Sequence, residues 1–340
     1  HIIKQSDGRY KELDNLMFLS KNLYNAALYN VRQFYFENKK YLGYYDLQKT
    51  FQTNKNVDYY ALPCKVSQQT LKMVDQNFKS FFGSLRLKNN KKVRIPKYLD
   101  KNGRYNLIYT NQAISLKRKG YVKLSSTNCY IKTNKQNIQQ VRVFKKNNII
   151  TIEVVYLYNE KELKLNNDRY CSIDLGINNL ATVSSNVIKP FIINGKPIKS
   201  INQFYNKKLA YYKSKLKNRK TSKKINRLTN KRENKIKDYL HKSSRYIVNH
   251  LVSNNINTLV IGYNKGWKQD INIGKVNNQK FVNVPFLTFI TMLEYKCKIE
   301  GINVIINEES YTSKCSFLDD EEICKHDNYL GRRIKRGLFK

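Results

Sequence analysis

The chain has 340 residues, with 64 Lys+Arg against 25 Asp+Glu and a formal net charge of +39 at pH 7. Self-repulsion on that scale makes sense mainly beside a polyanion, and 26 tyrosines and 15 phenylalanines interleaved with the cations offer stacking faces for bases. No apolar run reaches the ~18 residues of a membrane span and no secretory leader is legible, so the expected setting is cytoplasmic and nucleoid-associated, with nucleic acid rather than membrane as partner.

Six cysteines (Cys64, Cys129, Cys171, Cys297, Cys315, Cys324) lie without paired spacing, several within apolar runs, as reduced buried thiols do. In chain order, residues 12–38 predict a helix through Leu13, Leu16, Leu23, Ala27 and Val31. Pro63 precedes a second helix from about Ser67, with Leu71, Val74, Phe78 and Phe82 on one face. Lys91–Tyr98 is extended and basic, and from there to Tyr158 the pattern shifts to strands. Residues 141–156 read as a hairpin turning at Asn147-Asn148, and 159–169 as a polar linker.

Cys171-Ser-Ile-Asp174-Leu-Gly176 is an apolar run broken by one acid, followed by a turn and a hairpin partner, Leu180–Val183. On a strand buried on both faces a lone carboxylate is costly, unless a hard divalent cation neutralises it; the other reading is an exposed acid at an ordinary turn. Between Asn206 and Arg245 lysine or arginine stands at nearly every second position, opposed only by Glu233 and Asp238. Two helices joined around Lys220–Lys224 are expected, apolar on one side and cationic on the other. So few acids cannot offset the repulsion within the helix, which favours a phosphate-tracking surface over a merely solvated face. Asn257–Ile261 is a buried-strand candidate ended by Gly262, residues 285–300 a helix, and Gly301–Ile306 a second apolar strand ending in Glu308 and Glu309. Two strand-borne acids within one domain suit a two-metal phosphodiesterase site. They are expected on adjacent strands.

The Asp174-Leu-Gly176 hairpin, Gly262-Tyr-Asn-Lys-Gly-Trp-Lys-Gln269, Asn278-Gln-Lys-Phe281 and Glu308-Glu-Ser-Tyr-Thr-Ser-Lys314 resemble, in that order, the TnpB proteins. These are transposon-encoded RNA-guided nucleases, also called OrfB transposases, related to type V CRISPR effectors. Leu23-Tyr-Asn-Ala-Ala-Leu28 and Arg94-Ile-Pro-Lys-Tyr98 are similar as well, so the resemblance spans nearly the whole chain.

The resemblance implies a multidomain α+β protein. Residues 1–88 would form a helical recognition domain that also starts the wedge barrel, 89–166 a β-barrel wedge domain, and 167–340 an RNase H-like (RuvC) α/β nuclease domain with basic helices inserted at about 203–253. It implies a guide RNA from the transposon end and target DNA as partners, and magnesium in a two-metal site. Asp174 matches the first RuvC acid. Many relatives end the strand at Leu259–Ile261 with a glutamate where this chain has Gly262; a relocated acid before Thr312-Ser313 would be Glu309, with Glu308 its competitor, and spacing to Thr312 prefers Glu309. The third acid is expected beyond Gly331–Gly337, so the chain is expected to be incomplete at its C-terminus, Asp319, Asp320 and Asp327 being poor substitutes. No zinc is expected, because Cys315, Cys324 and His326 do not form two CxxC knuckles. Expected nucleic-acid contacts are Arg94, Lys97, Lys213, Lys217, Lys220, Lys224, Arg227, Lys231, Lys268 and Lys314. The alternative is an RNA-guided DNA-binding protein that does not cut. A transposase using a nucleophilic tyrosine would want a His-x-His metal pair, which the sequence lacks.

Overall fold

The computed structural model describes residues 1–87, 93–162, 167–216, 221–269, 271–335 and 338–340. The chain divides into two compact units, His1–Tyr158 and Asn159–Lys340.

The first unit opens with a short strand, β1 (Ile2–Ile3), and a long helix, α1 (Arg9–Asn38). Leu13, Met17, Tyr24, Ala27, Leu28 and Val31 recur at three- and four-residue spacing on its buried side. The helix stops at Lys39, whose left-handed backbone lets its N–H return to the Tyr35 carbonyl. Two short helices that periodicity does not announce follow: α2 (Tyr44–Thr53) and α3 (Val57–Tyr60), the latter capped by Asn56 accepting the Tyr59 N–H. α4 (Cys64–Arg86) begins directly after Pro63 and buries Val66, Leu71, Val74 and Phe78.

Six strands complete this unit: β2 (Leu107–Thr110), β3 (Ile114–Ser115), β4 (Tyr121–Leu124), β5 (Tyr130–Lys132), β6 (Ile138–Lys146) and β7 (Ile149–Tyr156). β6 and β7 form the expected hairpin, with Asn147 at positive φ in its turn. Among the described residues the strands make two antiparallel sheets, ordered β1-β7-β6-β2 and β3-β4-β5. Helix residues such as Leu13, Leu28 and Phe78 share one core with Leu107, Val122, Val141 and Ile152 of the strands.

The second unit is built on a sheet. β8 (Tyr170–Leu175) and β10 (Phe191–Asn194) each pair antiparallel with β9 (Asn179–Ser185) between them. Two basic helices follow, α5 (Lys196–Ser214) and α6 (Lys223–Ser253), the second capped by Ser222 Oγ accepting the Ile225 N–H. Next come β11 (Thr258–Gly262), α7 (Lys275–Val282), α8 (Phe286–Ile299), β12 (Asn303–Asn307) and a small terminal pair, β13 (Arg333–Lys335) with β14 (Leu338–Phe339).

The large sheet is ordered β10-β9-β8-β11-β12, and β11 runs parallel to both of its neighbours. Parallel neighbours need long crossovers, and α8 lies in the one from β11 to β12. Leu240, Ile247 and Leu251 of α6 and Phe289 and Leu293 of α8 pack in one core with Cys171, Ile173, Leu259 and Ile261.

Burial along β8 alternates: Cys171, Ile173 and Leu175 are buried, Ser172 and Asp174 exposed. Of the two readings of this strand, the exposed acid is the one the structure has. Its core faces one side of the sheet, and a carboxylate on the open face needs no neutralising partner merely to fold. β12 is a largely exposed edge strand rather than a buried one.

All six cysteines are free, and Cys129, Cys171, Cys297 and Cys315 are buried. Burial pushes the Cys171 and Cys297 thiols up to about 12, which keeps them protonated packing groups. His250 packs its ring against Phe191 and Tyr246. Among the described residues no helix is long and apolar enough to cross a membrane.

Candidate active site

Ile173 of β8 lies opposite Ile261 of β11, so Asp174 and Gly262 are the next residues along two parallel neighbours. On the other side of β11, Gly262 is opposite Asn307, the last residue of β12. Asp174 and Glu309 are thus not carried by adjacent strands, as the sequence reading expected, since β11 lies between β8 and β12. Glu309 bridges that gap by lying across the end of β11. A Cβ added at Gly262 would fall 1.6 Å from Glu309 Oε1, 2.1 Å from its Cδ and 2.6 Å from its Cγ. With glycine at the end of this strand the Glu309 side chain fills the space over it, and any Cβ there would make that side chain shift.

Three hydrogen bonds shape the turn that delivers Glu309. The Tyr263 N–H donates to the Asn307 carbonyl at 2.9 Å, extending the β11–β12 pairing past the sheet. The Glu309 N–H donates to Asn264 Oδ1 at 2.6 Å, and Thr312 Oγ1 donates to the Glu309 carbonyl at 3.0 Å. Glu308 is exposed and accepts a hydrogen bond from Ser310 Oγ at 2.7 Å. Sequence reasoning missed Asn264; the available signal was an amide side chain two residues beyond a glycine-ended strand.

Burial raises the Glu309 pKa above the ordinary carboxylate range, and the negative charge of Asp174 raises it further. Mutual repulsion between two carboxylates is relieved by a shared proton or by a cation between them. Hard oxygen donors on a partly open face suit magnesium, which keeps several waters and asks the protein for one or two carboxylates. The two acids fit one side of such a site. Among the described residues no group of three or more His, Cys, Asp and Glu side chains is gathered as metal ligands. Asp319 accepts a hydrogen bond from Ser316 Oγ, and Asp320 and Asp327 are exposed. Cys324 Sγ stands 3.4 Å from His326 Nε2, and the Cys315 thiol lies 3.7 Å from the Cys324 carbonyl oxygen.

The family model of the OrfB type, described as "probable transposase", matches residues 153–268. That segment contains β8 with Asp174, the basic helices, β11 with Gly262, and Asn264 just beyond it. Over that segment the chain is similar to the OrfB transposases. The fold agrees: the chain is similar to a structure titled as a Cas12f1–sgRNA–target DNA complex, at 12% identity over 94% of this chain and 76% of that one, with a TM-score of 0.55. A structure titled as a CRISPR–Cas12f ternary complex matches at 13% identity over 90% of this chain and 73% of that one, with a TM-score of 0.35, too low to carry an argument. No curated protein matches the chain by sequence.

Of the cations expected to meet nucleic acid, Lys213, Lys224, Arg227 and Lys231 are exposed on α5 and α6, and Arg94 and Lys97 are exposed in the first unit. Lys217 and Lys220 lie outside the described residues. Lys314 is exposed, 5.4 Å from the Tyr329 ring centroid.

Lys268 turns inward. Its ammonium donates to the Val282 carbonyl at 3.2 Å and to that of Val284, and it lies 5.1 Å from the Phe286 ring centroid. Burial lowers its pKa. With Trp267 packed edge-on against Phe281 and Phe286, Lys268 ties the loop carrying Asn264 to the segment ahead of α8. These bonds occupy its ammonium within the second unit.

Proposed function

We propose that the protein is an RNA-guided DNA endonuclease in which Asp174 and Glu309 hold divalent magnesium at the open end of the large sheet. The observation that carries this reading is the Glu309 carboxylate lying over Gly262, within reach of the Asp174 charge. Strand order β10-β9-β8-β11-β12, antiparallel then parallel, supports reading the second unit as RNase H-like. The basic helices α5 and α6 would track phosphates, with base pairing to a guide RNA supplying sequence specificity.

The two acids divide the work of positioning. Asp174 offers oxygens from a rigid strand, and Glu309 offers them from a turn held by Asn264 and Thr312. When bound, the cations supply activation of the attacking water and neutralisation of charge at the departing 3′ oxygen. Glu309 must be ionised to serve, and burial first, then the Asp174 charge, raise its pKa against that.

A second reading is an RNA-guided DNA-binding protein that does not cut. The test is to sequence the RNA that copurifies with the chain and challenge the complex with matched and mismatched duplex DNA. Matched binding lost on RNase treatment, with magnesium-dependent cutting that disappears in Asp174→Ala, supports the endonuclease. Matched binding without cutting supports the second reading. Binding indifferent to the RNA contradicts both.

A further inference from the structure

Between α5 and α6 lies a cavity of about 290 Å³ lined by Ser200, Ile201, Phe204, Tyr205, Leu228, Lys231, Arg232 and Lys235. Its construction differs from that of a solvated charged face. Phe204 is 58% exposed, a large apolar ring left in water on a helix otherwise rich in cations. The opposite wall is fixed. Arg232 stacks over Tyr205 at 5.0 Å, donates through Nε to Asn202 Oδ1 at 2.7 Å, and reaches the Asn283 carbonyl at 3.3 Å. Tyr205 Oη and Thr229 Oγ1 lie within hydrogen-bonding distance at 3.2 Å. Lys231 and Lys235 are exposed at the rim, and no acid lines the cavity.

We infer that this cavity seats one unstacked base of a bound RNA, stacked on Phe204, with the flanking phosphates on Lys231 and Lys235. An aromatic face beside cations, with no carboxylate, is complementary to a nucleotide, whose base is apolar on its faces and whose phosphate is anionic. A base inside a duplex is already stacked and cannot enter. Folded RNA presents splayed bases permanently in loops and bulges, whereas duplex DNA exposes them only when opened, and that favours RNA. The inference rests on the RNA-binding part of the proposed function and on nothing in the Asp174 site.

The experiment measures binding of an unstructured oligoadenylate RNA to the full chain by fluorescence anisotropy across a salt series, with DNA of the same sequence and a duplex RNA as further arms. Phe204→Ala should weaken the single-stranded RNA by roughly 5- to 150-fold, the range for losing one base–aromatic stack. Its log–log salt slope should stay unchanged, because no charge is removed. Phe204→Trp should restore affinity, and duplex RNA should be indifferent to either change. Lys231→Gln with Lys235→Gln should lower the slope by ~0.7 per lysine on the single strand.

Phe204→Ala binding the RNA as tightly as the parent, or weakening the duplex equally, overturns the stacking site. An effect confined to the DNA oligomer overturns the choice of RNA. A parent chain that binds none of the three nucleic acids overturns the underlying reading instead. Because Phe204 lies mostly in solvent, an unchanged melting temperature in Phe204→Ala should accompany the loss.

Discussion

The Glu309 carboxylate occupies the space that a side chain at Gly262 would fill, its Oε1 1.6 Å from where that Cβ would stand. One strand end therefore has room for an acid from either of two places in the sequence, but not for both. Gly262→Ala should push the Glu309 carboxylate aside and weaken divalent-cation binding by roughly 10- to 100-fold, the range for disturbing the orientation of a metal ligand. Glu309→Ala should lose binding too, and Gly262→Glu in the Glu309→Ala background should recover part of it. Titration with Mn2+ on the three variants checks this. No recovery in the double variant would show that the two places are not equivalent.

Asn264 is predicted to act through Glu309. Removing its Oδ1 leaves the Glu309 N–H without its 2.6 Å acceptor, a loss of about 1–3 kcal/mol where the group stays dry. Asn264→Ala should weaken Mn2+ binding in the same direction as Gly262→Ala, while Asn264→Asp, which keeps an acceptor oxygen, should fall between alanine and the parent. Equal affinity in all three chains would remove Asn264 from the site.

The cationic face of α5 and α6 should carry much of the salt dependence of binding. Lys207, Lys208, Lys213 and Lys224 are exposed. Changing all four to glutamine should lower the log–log slope on duplex DNA by up to ~0.9 for each phosphate that is no longer neutralised. A slope that does not move would make this face a solvated one.

The buried cation between α6 and α8 yields a stability prediction. Lys296 is 4% exposed, and its ammonium donates to the His241 carbonyl at 2.8 Å and to Ser244 Oγ at 2.6 Å. Burial and the Arg245 charge lower its pKa. Ser244→Ala should destabilise the chain by about 1–3 kcal/mol, because the charge loses an acceptor and stays buried. Lys296→Met, which removes the charge along with its need, should cost less or even stabilise. A depressed lysine pKa means the folded state holds fewer protons than the unfolded one, so this part of the stability rises with pH from the folded pKa up to the ordinary lysine value and is lost as pH falls back through that window. Denaturant melts of the parent and of Lys296→Met across mildly alkaline pH would show the difference.

Much of the frame was legible because its elements are long and periodic. α1, α4, α6 and α8 repeat apolar residues at helical spacing, and β6–β7 and β8–β9 turn at asparagine-containing segments. The short elements α2, α3, α7 and β10 offer too few residues for a period to show. Which face of β8 is covered depends on where α6 and α8 pack, so the exposure of Asp174 could not be read from an apolar run. The placement of β11 between the two acids is a matter of topology, and the inward turn of Lys268 depends on carbonyls 14 and 16 residues away in sequence. Asp174 stood out in the sequence as an acid inside an apolar strand and Glu308 and Glu309 as acids just past one, with only the spacing to Thr312 preferring Glu309.

The central claim is that Asp174 and Glu309 together hold a divalent cation. Mn2+ binding to the full chain, followed by electron paramagnetic resonance, tests it most directly when the parent is compared with Asp174→Ala, Glu309→Ala and Glu308→Ala. Loss of binding in the first two with Glu308→Ala near the parent, and nucleic-acid affinity retained in all, is the predicted result. Unchanged Mn2+ affinity in both Asp174→Ala and Glu309→Ala would contradict it.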